Sequence, residues 1–223
     1  MRAPNRRLAA IALASTALIA GCSTNHGPRA EKTVYVDAPP TASSSSPGST
    51  SARPSTSASV PTMTKLPGTC DDLLPLSSID TALGGPVAGR TAFVVGVAEK
   101  DIGRISYLNC RYGLPGGATT APTPRVEIGV SLYQTAALAA QRIPATVAAY
   151  LANGATQAPA SVDGKPATIL TGGVGTGYNA PTIVAVSGQR TIAVSLAADL
   201  AQGAEAAKRL TALAALAMKQ TGG

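Results

Sequence analysis

The residues of this chain that could do acid–base or nucleophilic chemistry are few and scattered. His26 is the only histidine, and it falls in a polar stretch near the N-terminus, so the later hydroxyl and thiol groups lack an imidazole base. None of the four lysines after residue 66 follows a serine at the Ser-x-x-Lys spacing, and Asp71-Asp72 is the only adjacent acid pair there. We therefore expect no catalytic residue, no cofactor and no metal site. A hydrolase that depends on carboxylates is the remaining catalytic alternative.

Cys22 follows a sequence that has the features of an export signal. Residues 2–7 carry three arginines and no acid, and the uncharged run 8–20 is too short to span a bilayer as a permanent helix. Ile19-Ala20-Gly21-Cys22 resembles the bacterial lipobox, whose cysteine thiol takes a diacylglyceryl group as a thioether. We predict cleavage before Cys22 and its acylation. The alternative is an ordinary signal peptide with an incidental cysteine, and the adjacent arginines leave the Sec and twin-arginine export routes both open.

Cys70 and Cys110 are the two thiols that remain once Cys22 is acylated. Two cysteines in an exported domain most simply form a disulfide, because the extracytoplasmic compartment is oxidising. A reactive dithiol is the alternative, although the pair lacks the Cys-x-x-Cys spacing.

Two further patterns suggest ligand binding without specifying it. The glycine-rich segment 172–177 looks like a phosphate loop, but Tyr178 stands where the dinucleotide motif needs its third glycine, and no Gly-Lys-Ser/Thr follows. A turn between strands is the preferred interpretation. Five tyrosines could line a groove between helix and sheet or could simply lie at the edges of the core: Tyr107, Tyr112, Tyr133, Tyr150 and Tyr178.

The charge balance argues against a nucleic-acid partner. The formal net charge is +7, but three of the eighteen basic residues lie in the predicted signal peptide, so fifteen remain against eleven acidic ones. An exported protein of this composition presents no obvious basic patch.

Composition divides the chain into three parts. We predict a signal peptide at residues 1–21, a lipidated tether rich in Ser, Thr and Pro at residues 22–65, and a single globular domain at residues 66–223. The tether has little to bury and cannot offset the entropy of ordering, and its Ser/Thr/Pro content invites O-glycosylation. The last part is long enough for one domain with its own core.

Hydrophobic periodicity predicts an α+β fold for the domain. We expect an antiparallel sheet of six to seven strands with about three helices and one disulfide. The predicted strands are residues 91–97, 104–114, 125–133, 155–162, 166–170, 182–186 and 191–196, and the predicted helices are residues 77–83, 135–153 and 204–220.

Within these elements the pattern also predicts which side chains face the core. We expect Ser77 to cap the first helix. In the strand 104–114 we expect Ile105 and Tyr107 to face inward, with Cys110 as a further candidate. Pro144 should kink or split the second helix. The expected buried stripes are Leu138, Ile143, Val147 and Leu151 in the second helix, and Ala206, Leu210, Leu213 and Ala217 in the third.

Several short motifs of the domain occur together in one group of proteins. They are Cys-Asp-x-Leu-Leu at residues 70–74, Cys110-Arg111-Tyr112, Gly-Val-Gly at residues 173–175, a hairpin, and a terminal helix rich in Ala and Leu. In this combination the chain resembles small exported lipoproteins of actinobacteria. The resemblance implies a binding or assembly role in the cell envelope, and it transfers no catalytic residue.

Together these patterns predict a lipoprotein on the extracytoplasmic face of the cell membrane, anchored through Cys22. We expect it to bind a lipid, a cell-wall component or an envelope protein. A structural envelope protein without a small-molecule pocket is the alternative of a different class.

Overall fold

The computed structural model of this chain describes residues 32–36, 65–117, 122–175 and 177–222. The predicted signal peptide, Cys22 and most of the predicted tether lie outside these ranges, so their cleavage, acylation and glycosylation stay predictions. Within the described ranges, no helix is both long and apolar enough to cross a membrane.

The domain is built on one antiparallel sheet. From residue 90 onward it has seven strands, as predicted, and an eighth strand from the N-terminal part of the chain joins one edge. The spatial order is β1-β2-β3-β4-β8-β7-β6-β5. The strands are β1 Lys32–Val36, β2 Arg90–Gly96, β3 Arg104–Leu114, β4 Val126–Tyr133, β5 Thr156–Val162, β6 Lys165–Thr171, β7 Thr182–Ser187 and β8 Arg190–Leu196.

Four helices accompany the sheet in the described part of the chain, and three of them have eight or more residues. They are α1 Cys70–Leu73, α2 Leu76–Leu83, α3 Ala136–Ala152 and α4 Gly203–Gln220. The predicted α+β class is therefore confirmed.

One face of the sheet carries the hydrophobic core. Register places Ile128 of β4 opposite Val194 of β8, and Val194 opposite Ile183 of β7, so these side chains share a face. Leu210 and Leu213 of α4 belong to the same buried cluster. The short helices α1 and α2 contribute to it as well, through Leu73, Ile79 and Leu83. The predicted inward stripe of α4 is confirmed, because all four of its residues are buried.

Helix α3 lies on the opposite face of the sheet. The Tyr150 hydroxyl is 3.4 Å from Oγ1 of Thr182, which pairs with Ser195 on the face away from the core. The predicted stripe of α3 is only partly turned inward: Leu138, Ile143 and Val147 are half-buried, but Leu151 is 41% exposed, and Ala139 is the one buried residue of the helix. The helix also continues through Pro144 as a single element.

Two predictions about side-chain direction are wrong at the start of the domain. Ile105 is 45% exposed, because alternation along β3 turns the even-numbered residues inward and Ile105 outward; the register against β4 also shifts at this residue. The inward residues of β3 are instead Leu108, Cys110 and Tyr112, and Tyr107 faces the other way. Ser77 is not a cap: α2 begins at Leu76, with Pro75 at the N-cap position.

The predicted disulfide joins Cys70 of α1 to Cys110 of β3. Their Cα atoms are 5.5 Å apart, and both side chains are buried. The phenol of Tyr112 strengthens the same attachment, because it donates to the carbonyl of Leu74 at 2.9 Å and lies 3.3 Å from the carbonyl of Cys70. A covalent bond and a buried hydroxyl thus hold α1 on the sheet.

The strand β1 comes from the stretch that the sequence analysis assigns to the tether. It pairs antiparallel with β2 over five residues, from Lys32 opposite Val95 to Val36 opposite Thr91. Part of the stretch predicted to be linker therefore forms an edge strand of the sheet, beside β2.

Candidate functional site

A concave surface lies between α2 and α4, and we call it the α2–α4 groove. Its volume is about 590 Å³, which is in the range of small-molecule sites. The lining residues are Ser77, Ser78, Thr81 and Ala82 of α2, Ala212, Ala215, Leu216 and Lys219 of α4, and Asp163.

The groove exists because the facing sides of the two helices carry small residues. Each helix uses a different stripe to reach the core, so that Ile79 and Leu83 of α2 are buried on the sheet. The stripe of α4 that faces α2 repeats at helical spacing from Ala212 to Lys219. Helices normally close such a gap by interdigitating large side chains. Alanine and serine at these positions are too short to do so, and the space stays open.

The floor of the groove is apolar and its rim is polar. Ala82, Ala215 and Leu216 are partly buried and pack against the core cluster. The hydroxyls of Ser77 and Ser78 belong to the lining, and the Thr81 hydroxyl donates to the carbonyl of Ser77 at 2.8 Å. A surface of this kind suits an amphipathic molecule that offers both a hydrocarbon part and a hydrogen-bonding part.

Two residues of opposite charge lie among the lining residues. Asp163 occupies the tight turn between β5 and β6, where its φ of 48° is left-handed and Gly164 follows. This is the Asp-Gly hairpin that the sequence predicts. Lys219 lies in the last turn of α4, where a cation is favoured by the helix dipole. The groove therefore offers both an acceptor and a cationic donor to a polar head group.

None of the five tyrosines predicted as possible groove residues lines the α2–α4 groove. Tyr112 and Tyr133 are buried. Tyr150 and Tyr178 form a T-shaped pair with ring centroids 4.9 Å apart, and the Arg104 guanidinium lies 5.0 Å from the ring of Tyr107. The signal that does mark the groove is the presence of small residues on one side of each helix: Ser77, Ser78 and Ala82 in α2, and Ala212 and Ala215 in α4.

The structure brings together a serine and a lysine that the sequence analysis kept apart. Nζ of Lys165 donates to Oγ of Ser187 at 2.6 Å, between β6 and β7. The absence of a Ser-x-x-Lys spacing could not exclude this contact, because spacing along the chain does not reveal cross-strand neighbours. Ser187 is only 3% exposed, and neither residue lines the groove.

Two buried titratable groups have shifted pKa values, and both lie away from the groove. Burial, and secondarily the charge of Asp71, raises the pKa of the Tyr112 phenol far above its usual value. Burial lowers the pKa of Arg190, which is opposite Ser187 in the hairpin of β7 and β8. Neither residue lines the α2–α4 groove.

The adjacent acids Asp71 and Asp72 lie where they stabilise a helix. They stand in the first turn of α1, where Thr69 caps the helix by accepting from the amide of Asp72 at 3.2 Å. Carboxylates are favoured there by the helix dipole. Among the described residues, no cluster of three or more His, Cys, Asp or Glu side chains is arranged to hold a metal ion.

The glycine-rich segment connects β6 to β7, as the preferred interpretation holds. The strand β7 begins at Thr182 and no helix follows the segment directly. Gly173 is required by close packing, because a Cβ there would collide with the backbone carbonyl of Tyr178. Comparison of the whole chain with protein-family models, with curated proteins and with solved structures finds no match.

Proposed function

We propose that this protein is a lipoprotein anchored to the extracytoplasmic face of the cell membrane, and that its domain binds an amphipathic ligand in the α2–α4 groove. The observation that carries the proposal is the groove itself, with its apolar floor, hydroxyl rim and one charge of each sign. A lipid is the occupant that this combination suits best. Its hydrocarbon part would lie against Ala215 and Leu216, and its head group would reach Lys219.

The location predicted from the sequence is consistent with this proposal. The lipobox-like sequence at Cys22 predicts an anchor in the membrane, where lipids are abundant. The disulfide between Cys70 and Cys110 fits an oxidising compartment. Two other ligands also combine apolar and polar parts: a cell-wall component and an amphipathic segment of an envelope protein. The groove favours them less specifically than it favours a lipid.

Filling the groove tests the proposal. Ala215→Phe places a ring on the groove floor, and Ala148→Phe makes the same change at an exposed position of α3 on the other side of the sheet. Both variants and the unchanged protein would be purified from the native host and examined by native mass spectrometry. We expect a lipid adduct in the unchanged protein and the control, and at least a tenfold loss of adduct in Ala215→Phe. An adduct of equal abundance in all three would contradict the groove as the site.

The exposed end of β2 and β3 favours a second reading, the structural envelope protein. Val95, Val97 and Ile105 are 44%, 49% and 45% exposed, and apolar side chains grouped at a strand end mark docking surfaces when they form a continuous patch. Val95→Lys with Val97→Lys would release an envelope partner in that case and leave the lipid adduct unchanged. Cross-linking followed by purification measures how much envelope protein stays with each variant. Loss of the partner with an unchanged lipid adduct would support the structural function over lipid binding.

The pair of Lys165 and Ser187 raises a hydrolase as a catalytic alternative, since a lysine can act as the base for a serine nucleophile. We propose that the pair is structural, because Ser187 is buried and opens to no described cleft. A fluorophosphonate probe should therefore not label the folded protein. Labelling that disappears in Ser187→Ala, with the fold retained, would establish a serine hydrolase instead.

A further inference from the structure

The strand β1 changes how far the domain can stand from its anchor. Only ten residues separate Cys22 from Lys32, whereas 48 separate Cys22 from Cys70, where the first helix begins. A fully extended chain gains at most about 3.6 Å per residue. The shorter span therefore reaches about 35 Å at most, and the longer one about 170 Å.

β1 forms a regular antiparallel ladder with β2, and β2 is itself part of the sheet through β3. Five consecutive residues of β1 oppose residues 91–95 of β2 without a shift in register. On its other side β2 is held by its ladder with β3, which runs from Arg90 to Gly96, so β2 offers a fixed edge to the incoming strand. An edge of this kind accepts an extended segment through main-chain hydrogen bonds, and β-branched and aromatic residues suit the position. Thr33, Val34, Tyr35 and Val36 are of these types.

We propose that Lys32–Val36 acts as a docking strand that holds the domain within ten residues of the lipid anchor, and that residues 37–64 connect this strand to the domain instead of lifting the domain from the membrane. The inference rests on the proposed anchor at Cys22 for its consequence, but not for the docking itself. Release of the docking strand would restore the long tether without breaking any covalent bond.

Cysteine cross-linking tests the docking and needs no lipid. In the full chain with Cys22→Ser, Lys32→Cys and Val95→Cys would stand at directly opposed positions of β1 and β2. The control combines Lys32→Cys with Ala158→Cys, an exposed position on β5 at the other edge of the sheet. We expect mild oxidation to link most of the first pair and little of the control, with Cys70 and Cys110 still bonded to each other in peptide mapping. Equal linkage in both variants would overturn the docking.

Energy transfer to the membrane tests the consequence. The acylated full chain would be placed in phosphatidylglycerol vesicles with an acceptor dye on the head groups and a donor dye at Ala148→Cys. Val34→Pro with Tyr35→Pro removes two consecutive backbone donors, so the ladder is interrupted whichever of the two amides faces β2. Thr41→Pro, outside the docking strand, is the matched control.

We expect the double proline variant to lose at least half of the transfer efficiency, and Thr41→Pro to retain it, with circular dichroism unchanged in both. Equal transfer in the double proline variant and the unchanged protein would overturn the short tether. Failure of the chain to enter the membrane fraction would refute the anchor at Cys22, and the cross-linking result would still decide whether β1 docks.

Discussion

At the scale of single residues, the side chain of Tyr112 links the first helix to the sheet. Its phenol is fully buried and donates to the carbonyl of Leu74, so the neutral form is the one that the fold accommodates. Burial raises its pKa in the folded state above the value near 10 that it has when unfolded. Between about pH 10 and the raised pKa, the folded state keeps the phenol proton that the unfolded state has lost. The free energy of unfolding therefore falls as the pH rises through this range. The stability from Tyr112 is complete below about pH 10 and is lost as the pH rises further.

Tyr112→Phe should therefore flatten the alkaline part of the stability curve. At pH 7 we expect the variant to lose about 1–2 kcal/mol of unfolding free energy, because the carbonyl of Leu74 loses its donor. Between pH 9 and 11 the unchanged protein should lose stability more steeply than the variant. Urea unfolding at both ends of this range measures the difference, and parallel curves would contradict it.

The disulfide between Cys70 and Cys110 is the second bond that holds the first helix on the sheet. It closes a separation of 40 residues, for which chain entropy suggests a stabilisation of about 3–4 kcal/mol. Cys70→Ala with Cys110→Ala should lower the unfolding free energy by about that amount. Reductant should shift the urea midpoint of the unchanged protein and have no effect on the variant. A reductant effect on both would mean that something other than this bond responds.

At the scale of elements, the edge strand β5 shows how the sheet ends. It is the last strand in the sheet order and is mostly exposed, with Pro159 near its middle. Proline within a sheet is confined to edges because it has no amide to donate, and it discourages pairing with another chain.

Replacing Pro159 should therefore promote self-association. Pro159→Thr restores an amide and introduces a residue of high strand propensity at the free edge, whereas Ala158→Thr adds the same residue beside the retained proline. Sedimentation velocity should show a concentration-dependent dimer in the first variant and a monomer in the second. A monomer in both would mean that Pro159 does not protect this edge.

Periodicity predicted the elements well where one face of each is buried. In β4, Val126, Ile128, Val130 and Leu132 alternate with polar or small residues, and these four side chains are indeed in the core. The same reasoning was less accurate for α3, because Leu151 contributes to the pattern but is 41% exposed, and Ala139 is the one buried residue of the helix. It also missed β1, although Thr33-Val34-Tyr35-Val36 is a run of strand-forming residues, because the surrounding polar composition dominated the interpretation.

The candidate site was predictable only in part. Helical spacing in α4 identified the buried side, but the depth of the groove depends on where α2 crosses, and this follows from tertiary packing. The contact of Lys165 with Ser187 likewise depends on the order of β6 and β7 in the sheet. No local spacing contains that information.

At the scale of the whole molecule, the proposed acylation of Cys22 would determine where the domain acts. Cys22→Ser should move the protein from the membrane fraction to the soluble fraction, because two or three acyl chains hold a protein far more stably than one. Ser23→Ala is the control and should leave the protein in the membrane. Fractionation with metabolic acyl labelling measures both effects, and labelling that persists in Cys22→Ser would show that another residue is the acceptor.

The order of the strands also has a consequence for how the chain folds. Strands β2 to β4 and β5 to β8 form two groups in which each strand pairs with its neighbour in sequence, and the groups meet only where β4 pairs with β8. In that pairing Val126 is opposite Leu196, so it closes a long loop, whereas every hairpin closes a short one. Because loop closure costs more entropy as the loop lengthens, we expect the β4–β8 pairing to be the late step. Until it forms, the edges of β4 and β8 stay unpaired beside an unfinished core, and the folding chain is most prone to aggregation in that interval.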